Sequence, residues 1–311
     1  MRDASHLRRL RAAAIVLALL GVSFLLLPHL YTNQSLLFTL MTYIALAQGL
    51  NLLYGFTGYL PFGYVGFFGC GAYATSLLVL HTQLPVLLCV AGGGAAAALV
   101  ALLLGPLLRL SGAYFSIASL AASQILYYTV SNPNLSNITG GPYGLKIEQV
   151  YAPDASYLSM LAALLAVCAL AAYFRGSRFG MKLRAMKQDP VSAAMAGLDV
   201  VRLRLIVWLL SALAAGLVGG IYAWNLSVFY PDAVFTLQIS VFAIVFALFG
   251  GVGTVLGPVL GAALLYTLYA VIGVSTPQYF QLIYGGLIVL LVQFMPRGVL
   301  SLFTRRGIDV Y

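Results

Sequence analysis

Long runs of apolar residues are the feature that most limits how this chain can fold. Of its 311 residues, 62% are hydrophobic and only 7% are charged, whereas a soluble globular protein carries roughly 25% charged residues. So few charged side chains could not cover a water-exposed surface, and a lipid bilayer must therefore surround most of the chain. Because backbone polar groups inside lipid must be satisfied internally, the sequence predicts an all-α polytopic helical bundle with membrane lipid as its first partner.

The apolar runs divide into about ten candidate spans, each near the roughly 20 residues that a helix needs to cross the hydrocarbon core. Eight to ten spans fit, because the glycine-rich stretches 55–72 and 250–261 could be broken or re-entrant. We treat residues 1–311 as a single transmembrane domain. The candidate spans are 12–30, 36–54, 59–80, 84–108, 111–130, 157–174, 204–224, 236–250, 258–275 and 279–296.

Charge placement predicts how these spans are oriented. The formal net charge is +9, and the basic residues cluster at the N-terminus, in the loop 175–204 and at the C-terminus, always beside apolar runs. By the positive-inside rule these three segments are cytoplasmic. The loop 131–156 carries Lys146 against Glu148 and Asp154, which is typical of the outer side of a membrane. The same placement accounts for the basic charge by membrane anchoring and argues against nucleic acid as a partner.

One predicted span carries a polar stripe. On the span 111–130, hydroxyl groups recur at intervals of three and four residues and so share one helix face, with a glutamine beside them. The residues are Ser116, Ser119, Ser123, Tyr127 and Gln124. They are candidates to line a translocation pathway, but such residues also pack helices together, and the sequence leaves both interpretations open. No Asp, Glu, Lys or Arg falls in the core of any predicted span, which argues against a proton-driven carrier.

The cytoplasmic loop 175–204 is predicted to contain a short capped helix. Asp189 can cap a helix that starts at Pro190, and Gly197 is a normal stop residue. Basic residues surround this helix, so its shape favours docking into a cleft of a partner chain; an idle linker is the alternative.

Several kinds of chemistry have no motif in this chain. It lacks the G-x-x-x-x-G-K-[ST] phosphate loop, and we find no nucleophile elbow or metalloprotease motif. Cys70, Cys89 and Cys168 lie singly inside apolar runs, without metal-ligand spacing. We therefore expect neither catalysis nor a cofactor or metal in this chain.

Five motifs, in order along the chain, resemble the LivM-type permeases of branched-chain amino acid ABC transporters and their urea- and amide-transporting relatives. The chain differs from the general ABC-permease loop, in which a glycine follows the Glu of E-A-A by six residues: Ser192 replaces that Glu, and Gly197 follows it by five. The motifs are Asn51–Gly58 with Phe67–Tyr73, Thr139–Gly144, Ser177–Ala185 with Ala193–Leu198, Gly250–Pro258 and Met295–Gly298.

The resemblance implies half of a translocation pore for branched-chain or other hydrophobic amino acids, in a bacterial inner membrane. It further implies a second related permease, two cytoplasmic ATP-binding subunits and a periplasmic substrate-binding protein. The implied ATPase-coupling residues are Asp189, Pro190, Ser192, Ala193, Ala194, Gly197 and Asp199, and the implied periplasmic contacts are Thr139, Gly140, Gly141 and Gly144.

Three alternatives stay open. The same subunit could serve a urea or short-amide importer. A stand-alone channel for a small neutral solute also fits the absence of charge within the spans. An integral-membrane enzyme is disfavoured, because no catalytic constellation is present.

Overall fold

A computed structural model describes residues 2–31 and 33–275, together with positions 285, 286 and 289. This part of the chain is almost entirely helical. The α-helices are α1 (Arg2–Leu30), α2 (Gln34–Thr57), α3 (Tyr64–His81), α4 (Val86–Leu103), α5 (Gly112–Val130), α6 (Ser136–Thr139), α7 (Pro153–Gly176), α8 (Arg178–Gln188), α9 (Pro190–Met195), α10 (Val200–Leu226), α11 (Pro231–Phe235), α12 (Leu237–Gly250) and α13 (Leu256–Ser275). Two short strands, β1 (Leu145–Lys146) and β2 (Val228–Phe229), pair antiparallel.

Nine of the ten predicted spans coincide with helices in this structure: α1 to α5, α7, α10, α12 and α13. The tenth, 279–296, lies almost wholly outside the described residues. Within the described part, six helical segments are long and apolar enough to cross a bilayer: Gln34–Thr57, Tyr64–His81, Val86–Leu103, Pro153–Gly176, Val200–Leu226 and Pro231–Gly250. The count of ten spans and the orientation of the termini stay predictions.

Both glycine-rich stretches interrupt the helices only at a connection. Gly58, with φ +81°, ends α2 in the left-handed conformation, and α3 then runs unbroken from Tyr64. The second break is a turn at 251–255, between the end of α12 and the start of α13. The glycines inside α3 therefore serve close packing rather than a change of direction.

Small residues hold α3, α4 and α10 together. A Cβ atom added to Gly71 of α3 would lie 2.1 Å from the carbonyl oxygen of Gly216 in α10. One added to Gly216 would lie 2.4 Å from the Cβ atom of Ala97 in α4. The backbones approach too closely for larger residues, so these small residues form a packing seam between the three helices.

The connections between helices gather at two ends of the bundle. At one end α8 contacts the end of α2 through Lys187 and Gly55, and the 251–255 turn contacts the same helix end. At the other end β1 pairs with β2, and Tyr127 of α5 contacts Asp232 of α11. Between residues 100 and 250, Lys146 is the one basic residue at the second end, and all other lysines and arginines belong to the first. We call the first the basic end and the second the strand end.

Candidate functional site

Three serines of the predicted stripe on α5 face α3 and the segment before it. Ser116 donates a hydrogen bond to the carbonyl oxygen of Leu60 at 2.6 Å, and Ser119 accepts one from the Gly63 N–H at 3.3 Å. Ser123 is buried, and a Cβ atom on Gly66 would lie 2.9 Å from its own Cβ atom. The contacts of these serines are therefore those of a helix–helix interface.

The other two stripe residues border a cavity at the strand end. Gln124 and Tyr127 line a cavity of about 240 Å³ together with Asp232 and Thr236. Tyr127 donates a hydrogen bond of 2.7 Å to a carboxylate oxygen of Asp232, which joins α5 to α11. The stripe thus borders open space at this end, beyond a packed middle formed by Ser119 and Ser123.

A second cavity, of about 400 Å³, opens at the basic end. Its walls come from the α2–α3 connection, the first turn of α5 and the segments near α9 and the start of α10. Ser116 lines it at the opposite end of the stripe from Tyr127. Its other polar lining residues are Thr57, Tyr59, Ser111, Lys187 and Arg204. The guanidinium of Arg204 stacks over the Tyr59 ring, 4.8 Å from its centroid.

The short helix predicted in the cytoplasmic loop is present as α9. Asp189 caps it, accepting hydrogen bonds from the Val191 N–H at 2.9 Å and from the Ser192 hydroxyl. These bonds, led by that of Ser192, hold the pKa of Asp189 below its ordinary value. Gly197 follows with φ +84°, a conformation that side chains rarely adopt. The capped helix is therefore confirmed, whereas its docking role stays a prediction.

The exposed face of α9 is apolar. Ala193 packs inward with 5% of its surface exposed, whereas Val191 and Met195 are 69% and 85% exposed. These two residues are four apart and so lie on one face of the helix. The spacing of Val191 and Met195 is visible in the sequence, but neither residue is among the predicted coupling residues.

The other implied coupling residues, Asp199, Pro190 and Ala194, lie on or beside α9. Asp199 caps α10 by accepting a hydrogen bond from the Arg202 N–H at 3.0 Å, and it also forms an exposed ion pair with the Arg202 side chain. Pro190 occupies the first turn of α9, where its missing N–H costs nothing. Ala194 is exposed on α9, close to Val191 and Met195 in sequence.

Helix α8 holds α9 against the bundle. Leu183 and Met186 of α8 are buried. A Cβ atom added to Gly180 would lie only 1.4 Å from the carbonyl oxygen of Phe174, so the start of α8 packs tightly against the end of α7. The ammonium of Lys187 donates a hydrogen bond of 2.9 Å to the carbonyl oxygen of Gly55, and partial burial lowers its pKa. In the sequence, Lys187 served only as one of the basic residues that predict the orientation of the loop 175–204.

The turn Thr139–Gly144 is held by hydrogen bonds of the Thr139 hydroxyl. Thr139 donates to the carbonyl oxygen of Val130 at 2.8 Å and accepts from the Gly141 N–H at 3.2 Å. Gly140, Gly141 and Gly144 all have positive φ. Tyr143, which is not among the candidate contacts, is 80% exposed.

Two buried polar residues on α2, Gln48 and Asn51, are not among the predicted site residues. Asn51 donates to the carbonyl oxygen of Thr254 at 2.8 Å and accepts from the Gly253 N–H at 2.7 Å. Gln48 lies one turn earlier, and both side chains are fully buried. Two amide side chains inside a predicted span are the sequence signal that could have identified them, because burying an amide in a membrane is unfavourable unless it is hydrogen-bonded. Among the described residues, no group of three or more His, Cys, Asp and Glu could hold a metal ion.

Long apolar helices, a basic end and small-residue packing seams define a multi-pass membrane protein. Residues 33–292 match the family model described as the permease component of the branched-chain amino acid transport system. The chain belongs to this family of ABC transporter permeases, and it is a permease subunit rather than an enzyme.

Individual relatives agree with that assignment. The chain is 30% identical to the high-affinity branched-chain amino acid permease LivM of Escherichia coli, over 84% of this chain and 68% of LivM. It is 28% identical to the probable branched-chain amino acid permease LivH of Methanocaldococcus jannaschii, over 80% of this chain and 84% of LivH. It is 28% identical to the guanosine permease NupQ of Bacillus subtilis, over 45% of this chain and 41% of NupQ. No solved structure matches the chain significantly.

Proposed function

We propose that this chain forms half of the pore of an importer for branched-chain or other hydrophobic amino acids in a bacterial inner membrane. The observation that carries the proposal is the match to the family over residues 33–292. A second related permease completes the pore, two cytoplasmic ATPases drive it, and a periplasmic protein delivers the amino acid. In this orientation the basic end is cytoplasmic and the strand end is periplasmic.

The coupling site in this proposal is the capped helix α9. Its exposed residues Val191 and Met195 offer an apolar face to a cleft of an ATPase, while buried Ala193 and the Asp189 cap fix its position. ATP-driven closure of two ATPases then pushes on α9, and packed helices convert the push into a small shift between bundles.

The pathway in this proposal follows α5. Its two ends border the cavities of about 240 and 400 Å³, and between them Ser119 and Ser123 pack closely on Gly63 and Gly66. A closed segment between the two cavities agrees with alternating access, in which the path is never open to both sides at once. Withdrawal of α5 from α3 would join the cavities.

The delivery site in this proposal includes the turn Thr139–Gly144. Its three positive-φ glycines fix the turn against β2 and present Tyr143 outward. Aromatic side chains are enriched in protein interfaces, so Tyr143 is the residue that we expect the binding protein to contact.

Reconstitution tests the proposal as a whole. The complete complex, purified through a tag on this chain, is placed in proteoliposomes, and uptake of leucine, urea and guanosine is measured with and without ATP. ATP-dependent leucine uptake supports the proposal. Preference for urea would assign the chain to a urea or amide importer, and preference for guanosine to a nucleoside importer. Flux through this chain alone, without ATP, would make it a channel.

Single-cysteine labelling tests the pathway. In a background without the three native cysteines, Ser116, Ser119 and Gln124 are each replaced by cysteine and exposed to an impermeant maleimide from either side. We expect Ser116→Cys to react from the cytoplasmic side, Gln124→Cys from the periplasmic side, and Ser119→Cys only during turnover. Equal, ATP-independent reactivity at all three positions would contradict a closed pathway along α5.

A further inference from the structure

The ammonium of Lys187 joins the end of α8 to the end of α2. It donates to the carbonyl oxygen of Gly55, a residue 132 positions away in sequence, at 2.9 Å. It also lies over the Tyr54 ring, 5.7 Å from the centroid. Carbonyl groups in the last turn of a helix lack helical partners and attract cations. Asp189, the cap of α9, follows Lys187 by two residues, so a displacement of α9 acts on this bond directly.

The same end of α2 rests on the turn between α12 and α13. A Cβ atom on Gly55 would lie 2.7 Å from the backbone nitrogen of Gly253, so the two backbones are in direct contact. One turn earlier, the Asn51 amide forms two hydrogen bonds with this turn, to the carbonyl oxygen of Thr254 and from the Gly253 N–H. Both ends of the amide are engaged, which fixes the turn in position and direction.

The turn is internally braced and can move as one body. The Thr254 hydroxyl donates to the carbonyl oxygen of Gly251 at 2.8 Å and accepts from the Gly257 N–H at 3.0 Å. These bonds tie the end of α12 to the start of α13. A force on the turn therefore reaches two helices together.

One buried group beside this junction lacks a partner. The Nε2 atom of Gln48 has no hydrogen-bond partner among the described residues, although it is fully buried. A buried unpaired donor is unfavourable. The junction therefore carries an energetic cost in this arrangement of α2.

We infer that Lys187 and Asn51 are positioning residues that link α9 mechanically to the α12–α13 turn through the end of α2. The linkage rests on the proposed role of α9 as the ATPase contact. Contiguous hydrogen bonds and packed backbones are the physical means by which such coupling travels. Because the two contacts act in series, loss of either one breaks the same linkage.

The test measures ATP hydrolysis and amino-acid uptake in the same proteoliposomes containing the complete complex. Lys187→Met should lower uptake per ATP hydrolysed by roughly 2- to 30-fold, the range seen for mutations that alter coupling. ATP hydrolysis and co-purification of the ATPases should stay within about twofold of wild type. Lys187→Arg, which keeps a cationic donor, should restore most of the ratio. Lys182→Met is the matched control, because Lys182 is exposed on the same helix.

A second variant checks that the contacts act in series. Asn51→Ala should also lower uptake per ATP, and the Lys187→Met/Asn51→Ala double variant should be no worse than the poorer single variant. Multiplicative losses would overturn the serial linkage. Unchanged uptake per ATP in Lys187→Met, with the wild-type complex fully coupled, would overturn the inference itself. If the wild-type complex showed no ATP-driven uptake, the proposed function would fail instead.

Discussion

Replacing Gly93 by alanine tests the close packing of α4 against α3. An added Cβ atom would lie 2.1 Å from the Thr75 hydroxyl oxygen and 2.6 Å from the carbonyl oxygen of Gly71, against 3.4 Å or more for ordinary contact. Thr75 can rotate away, but the Gly71 oxygen belongs to the backbone of α3. The helices must therefore separate by several tenths of an ångström.

The size of the effect follows from two opposing terms. Overpacking costs about 1–3 kcal/mol, and the backbone contact with Gly71, which no side-chain rotation relieves, places Gly93→Ala at about 2–3 kcal/mol; alanine is more favourable than glycine inside a helix by about 1 kcal/mol. Gly93→Ala should thus lower the free energy of unfolding by about 1–2 kcal/mol. The matched control is Gly92→Ala on the same helix, where the nearest atom, at 2.5 Å, is the terminal methyl of the flexible Leu78 side chain. We expect that variant to be nearly neutral.

The assay is size-exclusion chromatography of detergent-solubilised protein after heating. Gly93→Ala should lower the apparent melting temperature by about 2–8 °C, and Gly92→Ala should change it by less than about 2 °C. Adding Thr75→Ala to Gly93→Ala should recover only part of the loss, because the contact with Gly71 persists. Equal melting temperatures for the two single variants would refute the close backbone contact between α3 and α4.

Three further predictions concern the two ends of the bundle and its core. Asp189→Ala should lower uptake per ATP more than Asp189→Asn, since asparagine also caps helices. Because the pKa of Asp189 is lowered, its carboxylate caps the helix fully at any pH above the ordinary carboxylate pKa, and the cap is lost only as the pH falls through the lowered pKa. The ratio of Asp189→Ala activity to wild-type activity should therefore stay constant from about pH 5 to 8. Gly144→Ala, whose Cβ atom would lie 2.0 Å from the Phe229 carbonyl oxygen, should disrupt the β1–β2 pairing and weaken capture by the binding protein in pull-downs, with ATPase co-purification intact. Trp208→Phe removes a 2.8 Å hydrogen bond to the Ala101 carbonyl oxygen and should destabilise the bundle by about 1–3 kcal/mol in the heating assay; an unchanged melting temperature would contradict it.

Local features of the chain were predictable from sequence because they depend on neighbours within one helical turn. Asp189, Pro190 and Gly197 form a start and stop signal whose geometry is set by adjacent backbone groups, and α9 follows it closely. The apolar runs likewise match nine helices, since lipid tolerates little else.

The functional surfaces were less predictable, because periodicity identifies a shared helix face without identifying what that face contacts. The α5 stripe is one face in sequence, yet Ser119 and Ser123 pack on α3 and the segment before it, whereas Ser116, Gln124 and Tyr127 border cavities. The glycine spacing of the turn predicted Gly140, Gly141 and Gly144 as contacts, but it did not predict Tyr143. A glycine turn is visible in sequence, whereas the side chain that it leaves exposed depends on how the turn packs.

By itself, the sequence determined that this chain lies in a bilayer, forms long helices and belongs with the ABC permeases. Those properties follow from composition, from short-range periodicity and from motifs that lie contiguous in the chain. Only the tertiary structure decided that Lys187 reaches Gly55 and that Asn51 holds the turn at Gly253 and Thr254. These partners are separated by 132 to 203 positions, and a contact over such a distance is fixed by how the helices pack, which no local pattern encodes.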